Sequence, residues 1–291
     1  RELEGIHPKK IMKRQDAMKP YMEWKEKKEN KGKFSWTLAL YGTEAMAKEA
    51  NLSLEDYWEQ IIKACYLDEQ DPKEKWKAVT KEIDRIKNSL NNLKVESLHI
   101  EAKNTDLIIG LGKNRKWLGG PGRNIPSFEV FISPDWRKTE GHIQFTEPLY
   151  RYGNLIKDVY LEFKNGKVIK ATASQGQSVL QEMIKVKNAD KIGEYSLTDA
   201  RLSRITKFMG ETLFDENVGG KEGNTNLALG RAYKDSFTGN PAKVPKKQWE
   251  KIGYNESTVH TDIVATSKRT VTALLENGTS CIIYKDGQFV I

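Results

Sequence analysis

Cysteine is nearly absent: the 291 residues include only Cys65 and Cys281. That scarcity argues against a disulfide-stapled scaffold and a cysteine-ligated zinc site. Both thiols, far apart among apolar neighbours, are expected reduced and in the core. Long apolar runs are missing as well. The longest, such as Leu107-Ile108-Ile109 and Cys281-Ile282-Ile283-Tyr284, have strand length, well short of the roughly 20 residues that cross a bilayer. The opening Arg1-Glu2-Leu3-Glu4 has neither an initiator Met nor an apolar stretch, so no signal peptide is expected. The glycosylation sequons at Asn51, Asn255 and Asn277 then carry no weight, and a bacterial-type cytoplasm fits best.

Charge of one sign is not segregated. The formal net charge is +8, yet the basic runs Lys9-Lys10, Lys13-Arg14 and Lys25 to Lys33 are interspersed with Glu23, Glu26 and Glu29. Mixed signs mark a solvated helical surface rather than a stripe that tracks phosphates, so no nucleic-acid partner is expected. The glycine clusters Gly110-Leu-Gly112 and Gly119-Gly120-Pro121-Gly122 do not form a phosphate loop. Arg115 stands where a dinucleotide fingerprint needs its third glycine, and Lys113 is followed by Asn114, so these are expected to be turn glycines. There is no internal repeat and no low-complexity linker.

What is present is ordinary for a water-soluble fold: 38% hydrophobic and 30% charged residues. The length suggests two subdomains. In the first third, Leu54, Tyr57, Trp58, Ile61, Ile62 and Cys65 fall at helical spacing behind a cap at Ser53, with Asp56 three residues on. A second helix follows Asp71-Pro72 and carries Trp76, Val79, Ile83, Ile86, Leu90 and Leu93 on one face. A strand is expected over Phe34 to Tyr41. From about Val95 the period becomes two, predicting strands at 98–102, 106–111, 128–133, 142–145, 160–163, 168–173, 270–275, 281–284 and 289–291. Asn165-Gly166, Asn277-Gly278 and Asp286-Gly287 are turn signals between them. Short helices are expected at 178–186 and 199–209. The fold class is α+β, with an antiparallel, hairpin-rich unit at 95–291 preceded by a helical segment at 1–94.

Chemistry concentrates in the later part. Val259-His260-Thr261-Asp262-Ile263 reads as a strand, in which alternate side chains share a face, so His260 and Asp262 point the same way. Glu129 sits in Phe128-Glu-Val-Phe-Ile132, Glu194 in Ile192-Gly-Glu-Tyr-Ser-Leu197, and Glu216 in Leu213-Phe-Asp-Glu-Asn217. Burying a lone carboxylate costs several kcal/mol, so a shared divalent ion accounts for the whole set economically. Singly, each has a plainer explanation: Glu129 an edge residue paired with a lysine, Glu216 a helix cap, His260 a satisfied core histidine.

Five segments together resemble the aminopeptidase T / aminopeptidase S / PepS family of bacterial metallo-aminopeptidases. They are Asn124-Ile-Pro-Ser-Phe-Glu129-Val-Phe, Gly193-Glu194, Asp215-Glu216-Asn217, Leu227-Ala-Leu-Gly-Arg-Ala-Tyr233 and Val259-His260-Thr-Asp262. The resemblance implies two divalent ions, zinc or cobalt, and release of N-terminal residues from short peptides by a homodimer. It makes Glu129, Glu194, Glu216, His260 and Asp262 metal ligands. Glu194, or Glu216 nearby, would carry a proton to the leaving amine, and Tyr233 would hydrogen-bond the tetrahedral oxyanion. It also implies that residues 1–94 are the helical remainder of an incomplete amino-terminal α/β domain, with 95–291 the metal-binding catalytic domain. One ligand departs from the pattern: Asn226 stands where the family has histidine, and an amide oxygen is a far poorer zinc ligand. An impaired aminopeptidase is therefore expected. The alternatives are an inactive homologue that holds peptide or a single metal, and a non-catalytic interaction module whose carboxylates are ion-paired.

Overall fold

Local signals set the helices of the first third. The computed structural model describes residue 3, residues 5–120 and residues 122–291. Arg1, Glu2 and Glu4 of the opening run and Pro121 of the glycine cluster lie outside them. Helices α1 (Pro8–Ala17) and α2 (Lys19–Glu29) come first, and α2 buries no side chain, as its mixed charges predict. A short α3 (Glu44–Glu49) leads to α4 (Leu54–Ala64) and the long α5 (Pro72–Asn92). The Ser53 hydroxyl accepts from the Asp56 N–H at 3.0 Å, and Asp71 Oδ1 accepts from Lys73 and Glu74 N–H, both at 3.1 Å. These bonds satisfy donors that the first helical turn leaves open. The buried stripe on α5 is Val79, Ile83, Ile86 and Leu90; on α4 it is Tyr57, Gln60, Ile61 and Ala64, while Leu54 and Ile62 stay exposed.

Eight antiparallel strands make the larger sheet, in the order Lys167–Thr172, Tyr160–Lys164, Thr139–Gln144, Thr105–Gly110, Val95–Ala102, Arg269–Leu275, Ser280–Lys285 and Gln288–Phe289. All three turns form as expected, with positive φ at Asn165 and Gly166, at Gly278 alone of the Asn277-Gly278 pair, and at Asp286 and Gly287. The smaller sheet is a simple antiparallel meander. Its strands are β1 (Leu118–Gly119), β2 (Glu129–Ile132), β3 (Ile192–Thr198), β4 (Asn224–Gly230) and β5 (His260–Ala265), neighbours in that order. Side chains from α4, α5 and both sheets fall in one continuous apolar cluster. Cys65 is buried in it and Cys281 half-buried, both free thiols.

Of two further expected elements, one is cut short and the other is absent. Of the strand expected over Phe34 to Tyr41, only Leu38–Ala39 pairs, in parallel with Asn124–Ile125. Pro126 follows that partner and has no N–H to continue the ladder. The helix expected at 199–209 is irregular chain instead. Several of its N–H groups are taken by side chains: Arg201 N–H by Asp199, Thr206 N–H by Gln60 and Met209 N–H by Asp215. Such bonds compete with the helical ladder. The glycine run has a packing origin beyond turn geometry. Gly119 lies in β1, and a Cβ there would meet Ile83 Cγ2 at 2.9 Å, so α5 seats on the glycines themselves.

Candidate metal centre

Strand register gathers the polar residues. Paired residues in an antiparallel sheet share a face, and Glu194 pairs with Ala228, which pairs with Asp262. Ser196 pairs with both Asn226 and Phe131, Thr198 with Glu129, and Gly230 with His260. One face of the meander therefore carries Glu129, Glu194, Ser196, Asn226, His260 and Asp262. The other carries Val130, Ile132, Tyr195, Leu197, Leu227, Leu229 and Ile263, all buried, with the hydroxyls of Tyr195, Thr225 and Thr261 its polar exceptions. Ala228, lying between Glu194 and Asp262, keeps that row open because it ends at a methyl. Gly193 permits a close approach of backbone: a Cβ there would meet the Gly230 and Arg231 carbonyl oxygens at 2.5 Å.

The contacts within this face are close. His260 Nε2 lies 3.2 Å from Asp262 Oδ1 and 3.4 Å from Glu194 Oε2. Its Nδ1 lies 2.7 Å from the Arg231 carbonyl oxygen, which orients the ring and directs Nε2 at the carboxylates. Arg151 Nη2 donates to the His260 carbonyl at 2.9 Å. The Ser196 hydroxyl donates to Glu129 Oε1 at 2.5 Å. Asn226 Nδ2 donates to Glu129 Oε1 at 3.2 Å and to Asp262 Oδ1 at 3.1 Å, while its Oδ1 is buried with no partner. The Tyr233 ring lies 4.8 Å from the His260 ring, centroid to centroid. Glu216 follows the short helix Thr212–Asp215 and lines a small cavity with Asp262 and Asp215.

Electrostatics follow from this burial. Desolvation pushes the Glu129 carboxyl well above its usual range, and Glu194 adds repulsion. Burial raises Glu194 too. Glu216 is raised well above its range by burial, then by Glu129, Asp262 and Glu194. For His260, burial opposes the imidazolium but Asp262 and Glu194 outweigh it, holding the group up at about 10. Burial works against Asp262 ionisation, yet His260 keeps that carboxyl below its usual value. Tyr233 is pushed well up by burial, with Glu194 and Asp262 adding to it, so its hydroxyl keeps its proton at neutral pH.

Among the described residues, no lysine or arginine lies within ion-pair distance of Glu129 or Glu216, and Glu129 is not an edge residue paired with a lysine. Glu216 does stand at the C-cap of the helix Thr212–Asp215. One oxygen each from Glu194 and Asp262 and one nitrogen of His260 lie within 4.8 Å of one another. That donor set, an imidazole with two carboxylates, fits a divalent cation such as zinc, whose charge would relieve the repulsion just described. The sequence did not single out Ser196 or the Arg231 carbonyl. Alternation from Glu194 would have found Ser196, whereas a backbone carbonyl leaves no mark in residue identity.

Residues 1–289 match the family model described as thermophilic metalloprotease (M29). Aminopeptidase PepS of Streptococcus thermophilus is 31% identical over 99% of this chain and 73% of its own length. Aminopeptidase T of Thermus thermophilus is 28% identical over 99% of this chain and 74% of its own length. The solved structure of wild-type AmpT from Thermus thermophilus superposes with a TM-score of 0.80 at 26% identity, covering 99% of this chain and 73% of that one. Sequence and fold therefore agree over nearly the whole chain, which belongs to the thermophilic metalloprotease (M29) family of metallo-aminopeptidases.

Proposed function

We propose that this chain removes N-terminal residues from short peptides at a site for two divalent ions, zinc or cobalt, with Glu129, Glu194, Glu216, His260 and Asp262 as ligands. The observation that carries this reading is the convergence of Glu194, His260 and Asp262 donor atoms within 4.8 Å. Homodimer assembly and a cytoplasmic location are part of the same reading, resting on the family. Among the described residues, no helix is long and apolar enough to cross a membrane.

A divalent ion bound here supplies a Lewis acid for the scissile carbonyl and brings the pKa of water toward neutrality. The chain's own groups do the rest. His260 is held in one orientation by the Arg231 carbonyl, so its Nε2 is the ligating nitrogen. Glu194, or Glu216, is the base that takes the proton from water and delivers it to the leaving amine; burial has already made these carboxyls willing proton acceptors. Tyr233 stays protonated and donates its hydroxyl hydrogen to the oxygen that becomes negative, a contribution of roughly 3 kcal/mol for comparable donors.

Asn226 limits the site. Its amide N–H groups satisfy Glu129 and Asp262, the position where the family places an imidazole nitrogen. Turning the amide round would present its unpartnered oxygen to those carboxylates, a repulsive arrangement unless a cation lies between them. Binding at that side is therefore weak, and activity low at trace metal. The same amide favours a second reading, a chain that holds peptide or one ion without turnover.

Hydrolysis of a chromogenic aminoacyl amide by the purified chain, with and without saturating zinc or cobalt, tests the proposal. Turnover is expected at high metal, lost with chelator and absent for the N-acetylated substrate. No turnover by the chain or by its Asn226→His variant at saturating metal would contradict it.

A further inference from the structure

A cavity of about 440 Å³ is lined by Arg231, Tyr233, Asp235, Lys116 and residues of α2. Its charges can be balanced one against another. Lys234 Nζ pairs with Glu26 at 3.1 Å and Glu256 at 2.8 Å; Arg123 pairs with Glu29 at 3.1 Å and Asp235 at 3.8 Å. Lys25 stacks over the Phe34 and Trp36 rings at 5.4 and 5.0 Å. The acidic residues of the lining are thus all engaged. Two cations are left over. Among the described residues, neither Arg231 nor Lys116 has a carboxylate within ion-pair distance. Both are half-buried, where an unpaired charge is costly.

Their placement relates them to the chemistry. Arg231 Cζ is 6.0 Å from the Tyr233 ring centroid, and that ring is 4.8 Å from the His260 ring, so guanidinium and imidazole are at most about 11 Å apart. An extended chain covers roughly 3.3–3.6 Å per residue, so about three residues at most span that separation. The Lys116 backbone is fixed by bonds of 2.8 and 2.9 Å with Ser236, which keeps the second cation at the same wall.

We infer that this cavity takes a carboxylate one or two residues past the scissile bond, held by the Arg231 guanidinium with Lys116 beside it. The inference rests on the aminopeptidase reading above and adds a substrate class to it: di- and tripeptides with a free C-terminus, or peptides with an acidic side chain at that place. A planar guanidinium suits a carboxylate because it donates two parallel N–H bonds. The cavity's size is in the range of small-ligand sites.

Calorimetric binding to the zinc-loaded chain tests it without turnover. The probes are three pseudo-dipeptides in which CH2–NH replaces the scissile amide: Leu-Leu as the free acid, Leu-Leu as the C-terminal amide, and Leu-Glu as the C-terminal amide. The free acid is expected to bind at least about tenfold tighter than its amide, and Arg231→Met to remove that difference. Tighter binding of only the Leu-Glu amide would also support the carboxylate site and assign it to side chains. Lys116→Met provides the check if Arg231→Met unfolds, and a severalfold loss for the carboxylate probe alone is expected. Equal binding of all three probes would overturn the inference while leaving the aminopeptidase reading intact. No binding of any probe would count against that reading itself.

Discussion

Asn226 donates its side-chain amide to Asp262 Oδ1 at 3.1 Å across the β4–β5 pair, so an uncharged donor holds the carboxylate where a cation is expected. This relation makes the site self-satisfied in part without metal. Replacing Asn226 with His exchanges a weak neutral group for imidazole. Asn226→His should raise zinc affinity at the weaker position about 10- to 100-fold and increase hydrolysis at trace metal. Competition titration with a chromogenic chelator measures the first effect, and unchanged affinity would show that Asn226 does not face an ion.

Stability of the metal-free chain should fall as pH rises. Burial raises Glu129, Glu194 and Glu216 above 4.5, and His260 is held up from 6.5 to about 10. Groups raised in the fold bind protons more tightly there, so their contribution is complete below the unfolded value and lost as pH climbs through the folded one. For the glutamates that loss begins just above 4.5, and for His260 it runs from 6.5 to about 10. Asp262 is lowered from 3.8 and acts oppositely, its contribution disappearing only in strong acid. Bound zinc reverses the trend, because its ligands must be deprotonated. Melting temperatures at about pH 5 and about pH 9, with chelator and with zinc, should therefore diverge as pH rises; parallel curves would mean that these groups do not share an ion.

Tyr233→Phe removes a hydroxyl but keeps the ring that packs 4.8 Å from His260. Turnover should fall about a hundredfold, the usual size of one oxyanion donor, with metal content unchanged. Single-turnover kinetics alongside elemental analysis separates the two. A loss of metal rather than of rate would assign Tyr233 to holding the site together.

Ile83→Ala tests the seat of α5 on β1. Ile83 is fully buried and approaches the backbone of Gly119 and Gly120. Truncation should cost about 2–5 kcal/mol, because glycines leave no side chain to fill the space. Denaturant unfolding measures it, and a cost below about 1 kcal/mol would mean that α5 readjusts over the sheet.

Much of this was legible where the strands alternate plainly. His260 and Asp262, two residues apart, had to share a face, whereas β3 and β4 are buried at every position and carry no such alternation around Glu194 and Asn226. The caps at Ser53 and Asp71 likewise formed where side-chain chemistry placed them. The misses have a common cause in long-range partners. Whether Phe34 to Tyr41 pairs depends on Pro126, nearly a hundred residues on. The 199–209 segment is drawn out of a helix by Gln60, Asp215 and its own Asp199. Lys116 and Arg231 meet at one wall only through the Ser236 turn, a neighbourhood that no local pattern announces.

The most direct measurement is metal content per chain, by elemental analysis after dialysis against trace zinc, in parallel with His260→Ala. The account predicts about one tightly held ion in the natural chain, a second only at high zinc, and loss of the tight ion in the variant. No retained zinc in either chain, or equal retention in both, would contradict a metal centre built on Glu194, His260 and Asp262.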